Sequence, residues 1–278
     1  MTRRPVVTTV AIAALIGVVV SAANVARRRD TAVSPNAGVA GPRTVVLAEL
    51  FTSEGCSSCP PADALLRTLL ATQPVEGVEI VALGEHVDYW DRLGWRDPFS
   101  SAAFSARQSG YDAAVFRSNS IYTPQLVIDG ASQTVASDEA AVVRLLKAAA
   151  RQPHGSIEIT LAQTPAGLSV ALQLGVPSSV TRTGVADIMV AVTEDCLTTQ
   201  VKNGENGGRT LAHSAVLRSL STVGQVAVNE TSANTTNEVP LRGEWSRKHV
   251  RIVAFVQEHQ SRRTLATAAA LLQPGSTD

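Results

Sequence analysis

The chain has 278 residues, long enough for two domains of ordinary size. Its 24 basic side chains (Lys+Arg) balance 24 acidic ones, and zero formal charge gives no electrostatic footprint for a nucleic-acid partner. Three cysteines are too few for a disulfide-built scaffold and suit one reactive pair plus one left over.

The N-terminus has the pattern of a targeting segment. Arg3 and Arg4 precede an uncharged apolar run, Val6 to Ala26, closed by Arg27-Arg28-Arg29. Ser21-Ala22-Ala23 offers a small-residue cleavage site. The run also approaches the ~20 residues that span a bilayer. Residues 1–30 therefore predict export, by a cleaved signal or a membrane anchor in residues 6–26, to a periplasmic or other extracytoplasmic place. Residues 31–43 hold Ser, Pro, Asn and Gly without a period and predict a flexible linker.

Thr44 to Phe51 is apolar and β-branched, a first strand. A turn with Cys56-Ser57-Ser58-Cys59 follows, then Ala62 to Ala71 with Leu65, Leu66, Leu69 and Leu70 at helical spacing. Cysteines at i and i+3 in a first helical turn share a face. The unpaired N–H groups and dipole of that end favour a thiolate, the reactive form. Pro60 and Pro61 fit only the first turn, so the spacing predicts a helix starting at the C-x-x-C with Ser57 or Ser58 as its cap. Three readings of the pair stand: thiol–disulfide chemistry, a structural disulfide and a zinc site. Zinc ordinarily takes four Cys/His ligands in paired spacing, and no second C-x-x-C exists.

Val78 to Leu83 predicts a buried strand. His86 to Pro98 holds two of the three tryptophans among charged residues, without a period, and reads as a covering loop. Asp97-Pro98 has the form of a helix cap with proline at the first position, before a helix carrying Phe104, Arg107 and Tyr111. Pro124 leads into the short strand Gln125 to Ile128, Ser132 to Val135 returns antiparallel, and Asp138 to Arg151 is a last helix. After residue 153 the sequence alternates, at Ser156–Leu161 and Leu168–Leu174, with further strands at Ala186–Thr193 and Val250–Val256. The predicted architecture is α/β: a thioredoxin-like domain of order βαβαββα over 44–153, then a mostly antiparallel β domain over 154–278. Asn203 to Arg209 is glycine-rich, lacks a phosphate-loop pattern and reads as a turn. Cys196 reads as a small buried hydrophobe.

The chain resembles a bacterial family of exported proteins, domain-of-unknown-function family 1223, of the thioredoxin-like superfamily. The stretches that carry the resemblance are Glu49–Ser53, Gly55–Asp63, His86–Asp91, Leu93-Gly94-Trp95, Asp97-Pro98, Tyr122–Gln125 and Asp129-Gly130, then Gly204-Glu205-Asn206, Gly208–Leu211 and His213. It implies a thioredoxin-like domain and a β-rich one, without a substrate. It further implies that Cys56 attacks a partner disulfide and Cys59 resolves the mixed disulfide, that Thr123–Pro124 is cis beside them, and that the acid Glu49 passes a proton to or from the resolving thiol. His86, Asp88, Trp90 and Thr123 would line the substrate cleft. The protein substrate would be a disulfide or dithiol, with no cofactor beyond the Cys56–Cys59 pair. The alternative is a thioredoxin-like module without turnover, holding Cu(I) on two thiolates with His86 as third ligand, or serving interaction alone.

Overall fold

The computed structural model describes residues 43–165, 167–175, 184–230 and 232–272. The segment expected to direct export, residues 1–30, lies outside the described residues, as does nearly all of the linker. Among the described residues no helix is long and apolar enough to cross a membrane.

β1 (Thr44–Thr52) runs parallel to β2 (Val78–His86), in register from Thr44 opposite Val78 to Thr52 opposite His86. Between them lies α1 (Pro60–Thr72). Its N-cap is Cys59, without a side-chain cap, and not Ser57 or Ser58 as expected. Pro60 and Pro61 fill the first two positions. Proline has no N–H to satisfy there and arrives with helical φ, so a hydroxyl cap has less to bind. The helix ends at Gln73 in the left-handed region, and the Gln73 side chain then tethers the end to Ile80 of β2.

α2 (Ala102–Tyr111) starts later than Asp97-Pro98 suggested. Ser101 is the cap, accepting from the Ala103 N–H at 3.2 Å, because Asp97 is committed elsewhere. β3 (Gln125–Ile128) pairs antiparallel with β1, β4 (Ser132–Val135) pairs antiparallel with β3, and α3 (Glu139–Ala149) follows, capped by Asp138.

The rest of the described chain is strands: β5 (Ser156–Thr164), β6 (Gly167–Gly175), β7 (Val185–Glu194), β8 (Leu197–Gln200), β9 (Thr210–His213), β10 (Val216–Ala227), β11 (Ser232–Val239), β12 (Val250–Glu258) and β13 (Thr264–Leu271). They do not build a separate sheet. β10 continues the first one, giving an eight-stranded order β13-β12-β7-β10-β2-β1-β3-β4. The joint is Val216 opposite Gly84, with the Gly84 N–H donating to the Ala215 carbonyl at 2.7 Å. A Cβ at Gly84 would stand 3.3 Å from two carbonyl oxygens of the incoming strand, so glycine permits the approach. β11, β6 and β5 form a second sheet, and β8 with β9 a hairpin.

The large sheet is covered on both faces, which is why β1 and β7 are buried along most of their length rather than at alternate residues. On one face Val46, Ala48 and Leu50 pack with Leu66 and Leu69 of α1 and Leu146 of α3. Further along that face, Ile188, Val190 and Ile252 pack against Leu168, Val170 and Leu172 of the small sheet. The opposite face carries Leu47, Leu83, Phe104, Leu217 and Phe255 around α2.

Candidate functional site

Cys56 and Cys59 form a disulfide, with Cα atoms 5.4 Å apart. Cys56 precedes α1 in a turn, its N–H donating to the Ser53 carbonyl at 3.2 Å, and Cys59 is the cap residue itself. Both cysteines are fully buried, whereas Ser57 and Ser58 between them are exposed. The cysteine expected to attack is thus not open to solvent: the chain folds a cover over Cys56. Cys56 Sγ lies 3.2 Å from Ser58 Oγ and 3.9 Å from the Thr123 carbonyl. The Thr123–Pro124 bond is cis. Trp90 Nε1 donates to Thr123 Oγ1 at 2.9 Å. The Trp90 Cβ lies so near the loop that a side chain at Gly55 would meet it at 3.0 Å.

The rest of the cover comes from beyond residue 153. Asn206, fully buried, donates through Nδ2 to the carbonyls of Glu54 at 2.8 Å and Cys56 at 2.9 Å. Arg209 Nη1 holds the Asn206 Oδ1 at 2.8 Å. The neighbouring Glu205 accepts the Ser57 N–H at 2.9 Å. The Asn203–Arg209 segment is the turn that the sequence suggested, and the turn is docked on the disulfide loop.

Beneath the loop lies a cluster of buried ionisable groups, in which Glu54, Asp97, His86 and His213 have the partners that burial demands. Glu54 accepts from Trp95 Nε1 at 2.8 Å and faces His213 Nε2 of β9 at 3.0 Å. Asp97 accepts the Glu54 N–H at 2.8 Å and pairs with His86 Nδ1 at 2.7 Å. The His86 and His213 rings meet edge to face, centroids 4.8 Å apart. Burial works against a charged His86, but the Asp97 carboxylate outweighs it and raises the imidazole above its ordinary value. Burial alone would raise Asp97; the His86 charge overcomes that and lowers it. Asp63, in the first turn of α1, is raised by burial, with His213 and His86 opposing.

The structure therefore gathers Cys56, Cys59, Thr123, Pro124 and Trp90 in one place, with His86 one layer below through Asp97. It does not bring Glu49 or Asp88 there. Glu49 alternates onto the α2 face, where its carboxylate is spent on Arg107 Nη2 at 2.6 Å and the Tyr111 hydroxyl. Asp88 is tied to Ser105 of α2 at 2.5 Å. The expectation of a buried Cys196 is also corrected: it is exposed, at positive φ in the turn before β8. Glu54, Asp63, Asp97, Glu205, Asn206 and His213 were not singled out as site residues. Their one sequence signal is that all but Glu54 fall within the stretches that carry the family resemblance.

These features define a mixed α/β protein in which a C-x-x-C disulfide at the start of a helix is closed over by a β-rich second half. The chain belongs to the family described as "Protein of unknown function (DUF1223)", whose profile matches residues 47–257. The crystal structure of protein AGR_C_4864 from Agrobacterium tumefaciens is similar, with 26% identity, a TM-score of 0.64, and coverage of 86% of this chain and 98% of that one. HBP35 of Porphyromonas gingivalis shares the fold at 14% identity and a TM-score of 0.63, covering 86% of this chain and 79% of its own. No curated protein matches the sequence.

Proposed function

We propose that the protein is an exported thiol–disulfide oxidoreductase that acts through Cys56 and Cys59 on protein disulfides or dithiols of the cell envelope. One observation carries the reading: a disulfide across only three residues of sequence, at the start of α1 and beside the Thr123 carbonyl. So short a loop gains only about 2 kcal/mol in the loop-entropy account, little for a staple in a chain of this size. The element order βαβαββα over 44–149, with β2-β1-β3-β4 in the sheet, supports a thioredoxin-like unit. The apolar, arginine-flanked residues 6–26 support export, with the membrane as a contact if they are retained.

In the reducing direction, the Cys56 thiolate attacks a sulfur of the partner disulfide. That S–S bond breaks, its electron pair goes to the leaving sulfur, and the leaving sulfur takes a proton. Cys59 then loses its proton and attacks Cys56 Sγ, releasing the second partner thiolate and leaving the protein oxidised. A dithiol donor restores the reduced pair. Because Cys56 lies among Trp90, Thr123 and Asn206, exchange requires this cover to part. Trp90 and Thr123 then border the bound segment, while His86 and Asp97 keep the Glu54 turn in place.

Replacing Cys59 removes the internal attacker. Cys59→Ser is therefore expected to accumulate a mixed disulfide with a reducible protein such as insulin, and Cys56→Ser to accumulate none. Wild type should reduce insulin with a thiol donor. No adduct and no insulin reduction would contradict the reading.

A further inference from the structure

Most of the cover is neutral. Trp90, Thr123 and Asn206 supply ring, hydroxyl and amide groups. Glu205 is different: it is the carboxylate that reaches the segment between the two cysteines. Its Oε2 accepts the Ser57 N–H at 2.9 Å, although the side chain itself stands in solvent.

Its placement is set by the turn that carries it. The Gly207 N–H donates to the Gly204 carbonyl at 3.1 Å, the Gly208 N–H to Val201 at 2.9 Å, and the Arg209 N–H to Asn206 at 3.1 Å. Gly204 has φ +75, and a Cβ there would meet the Trp95 Cβ at 3.1 Å. Asn206, fully buried, bolts the turn to the Cys56 carbonyl. A carboxylate one residue before that bolt is held at the mouth of the disulfide loop.

We propose that Glu205 is a positioning residue that tunes the Cys56–Cys59 couple, taking up the Ser57 amide and holding a negative charge at the mouth of the disulfide loop so that the disulfide is favoured over the dithiol. This rests on the oxidoreductase reading and adds the control of that same pair. Reduction turns a neutral disulfide into a pair in which Cys56 carries thiolate charge. Backbone N–H groups at a helix start stabilise that charge, and a nearby carboxylate opposes it. The same hydrogen bonds that hold Glu205 lower its own carboxyl below the ordinary value of 4.5, so it is charged throughout the neutral range. The nearby acid Glu54 is matched by His213 and Trp95. On the Glu205 turn the cation is Arg209, which binds Asn206.

The test is a redox titration of the full-length protein as wild type, Glu205→Gln and Glu205→Ala. In glutathione buffers the balance is disulfide plus two glutathiones against dithiol plus oxidised glutathione. The reduced fraction is read by alkylation and mass, with exposed Cys196 labelled in every sample as an internal standard. Glu205→Gln keeps an acceptor and removes the charge. It should move the equilibrium roughly threefold toward the dithiol, the scale of one solvent-screened charge, or about 14 mV at 29.6 mV per tenfold. Glu205→Ala also frees the Ser57 N–H and should move it further. Both should lower the pH at which Cys56 becomes alkylatable. The differences should shrink in high salt and vanish as pH falls below the carboxylate range. Variants with the wild-type midpoint and wild-type alkylation profile would overturn the role of Glu205 while leaving the couple intact. A wild-type pair that does not exchange with glutathione would overturn the oxidoreductase reading beneath it.

Discussion

Two buried charged clusters flank β1, and they handle charge in opposite ways. On the α1 side, Glu54, Asp97, His86, His213 and Asp63 lie under the disulfide loop. On the α2 side, Glu49 and Glu85 share the Arg107 guanidinium, at 2.6 Å and 3.5 Å, with Tyr111 and Gln257 around them. Each cluster reaches across to the second half of the chain, the first through His213 on β9 and the second through Gln257 on β12. In the first, histidines face carboxylates: burial opposes a charged His86, and Asp97 nonetheless raises its imidazole above the ordinary value. In the second, one guanidinium serves two acids. Burial, and then the Glu49 charge, push the Glu85 carboxyl well above the usual range despite Arg107. Burial opposes the Arg107 charge, yet Glu49 first, then Tyr111 and Glu85, raise it still higher. The α2 cluster is thus a fixed knot binding α2 to the sheet, and the α1 cluster is the responsive one, set against the C-x-x-C.

The largest expected effect breaks the knot. Arg107→Ala removes the cation and strands Glu49 in the interior, which should cost about 3–5 kcal/mol in urea unfolding. If the two clusters are independent, the Cys56–Cys59 equilibrium of the surviving folded protein stays at its wild-type position. A shifted midpoint would show that β1 couples them.

A smaller effect sharpens the other side. Asp97→Asn leaves His86 without its carboxylate and weakens the hold on the Glu54 N–H, at a cost of roughly 1–3 kcal/mol. The cost should depend on pH. His86 is raised, so its contribution is complete below the ordinary 6.5 and lost as pH rises through the folded value. Asp97 is lowered, so its contribution is complete above the ordinary 3.8 and lost as pH falls through the folded value. The gap in unfolding free energy between wild type and variant should therefore be widest between those two values. A gap that is flat across pH would contradict an ion pair at this position.

The sequence disclosed what local chemistry dictates. The β-branched run into a C-x-x-C, the leucine spacing of α1 and the Asp138 cap of α3 are short-range signals, and the elements stand where they pointed. The site was less legible because it is assembled across the chain. Nothing near Asn206 announces a carbonyl of Cys56 that lies 150 residues away. Asp97-Pro98 has the form of a helix start, but tertiary demand for a partner at His86 took the aspartate first. Glu49 had the position expected of a proton carrier, and strand alternation turned it to the α2 face. Among the strands that went unpredicted, the longer ones have weak patterns: β10 and β11 are rich in Ser, Thr, Asn and Gln, and β13 in alanine. Their place is fixed by pairing and by the core they cover rather than by propensity.

The central claim is that Cys56–Cys59 is a working couple with unequal members. The most direct measurement is the alkylation rate of each cysteine in the reduced full-length protein across pH, read by mass spectrometry. The account predicts that Cys56 labels first, with a thiolate curve below the ordinary ~8.5, and that Cys59, the cap residue at the start of α1, labels more slowly. Equal, slow labelling of both, following an ordinary thiol curve, would contradict it and leave the disulfide as a staple.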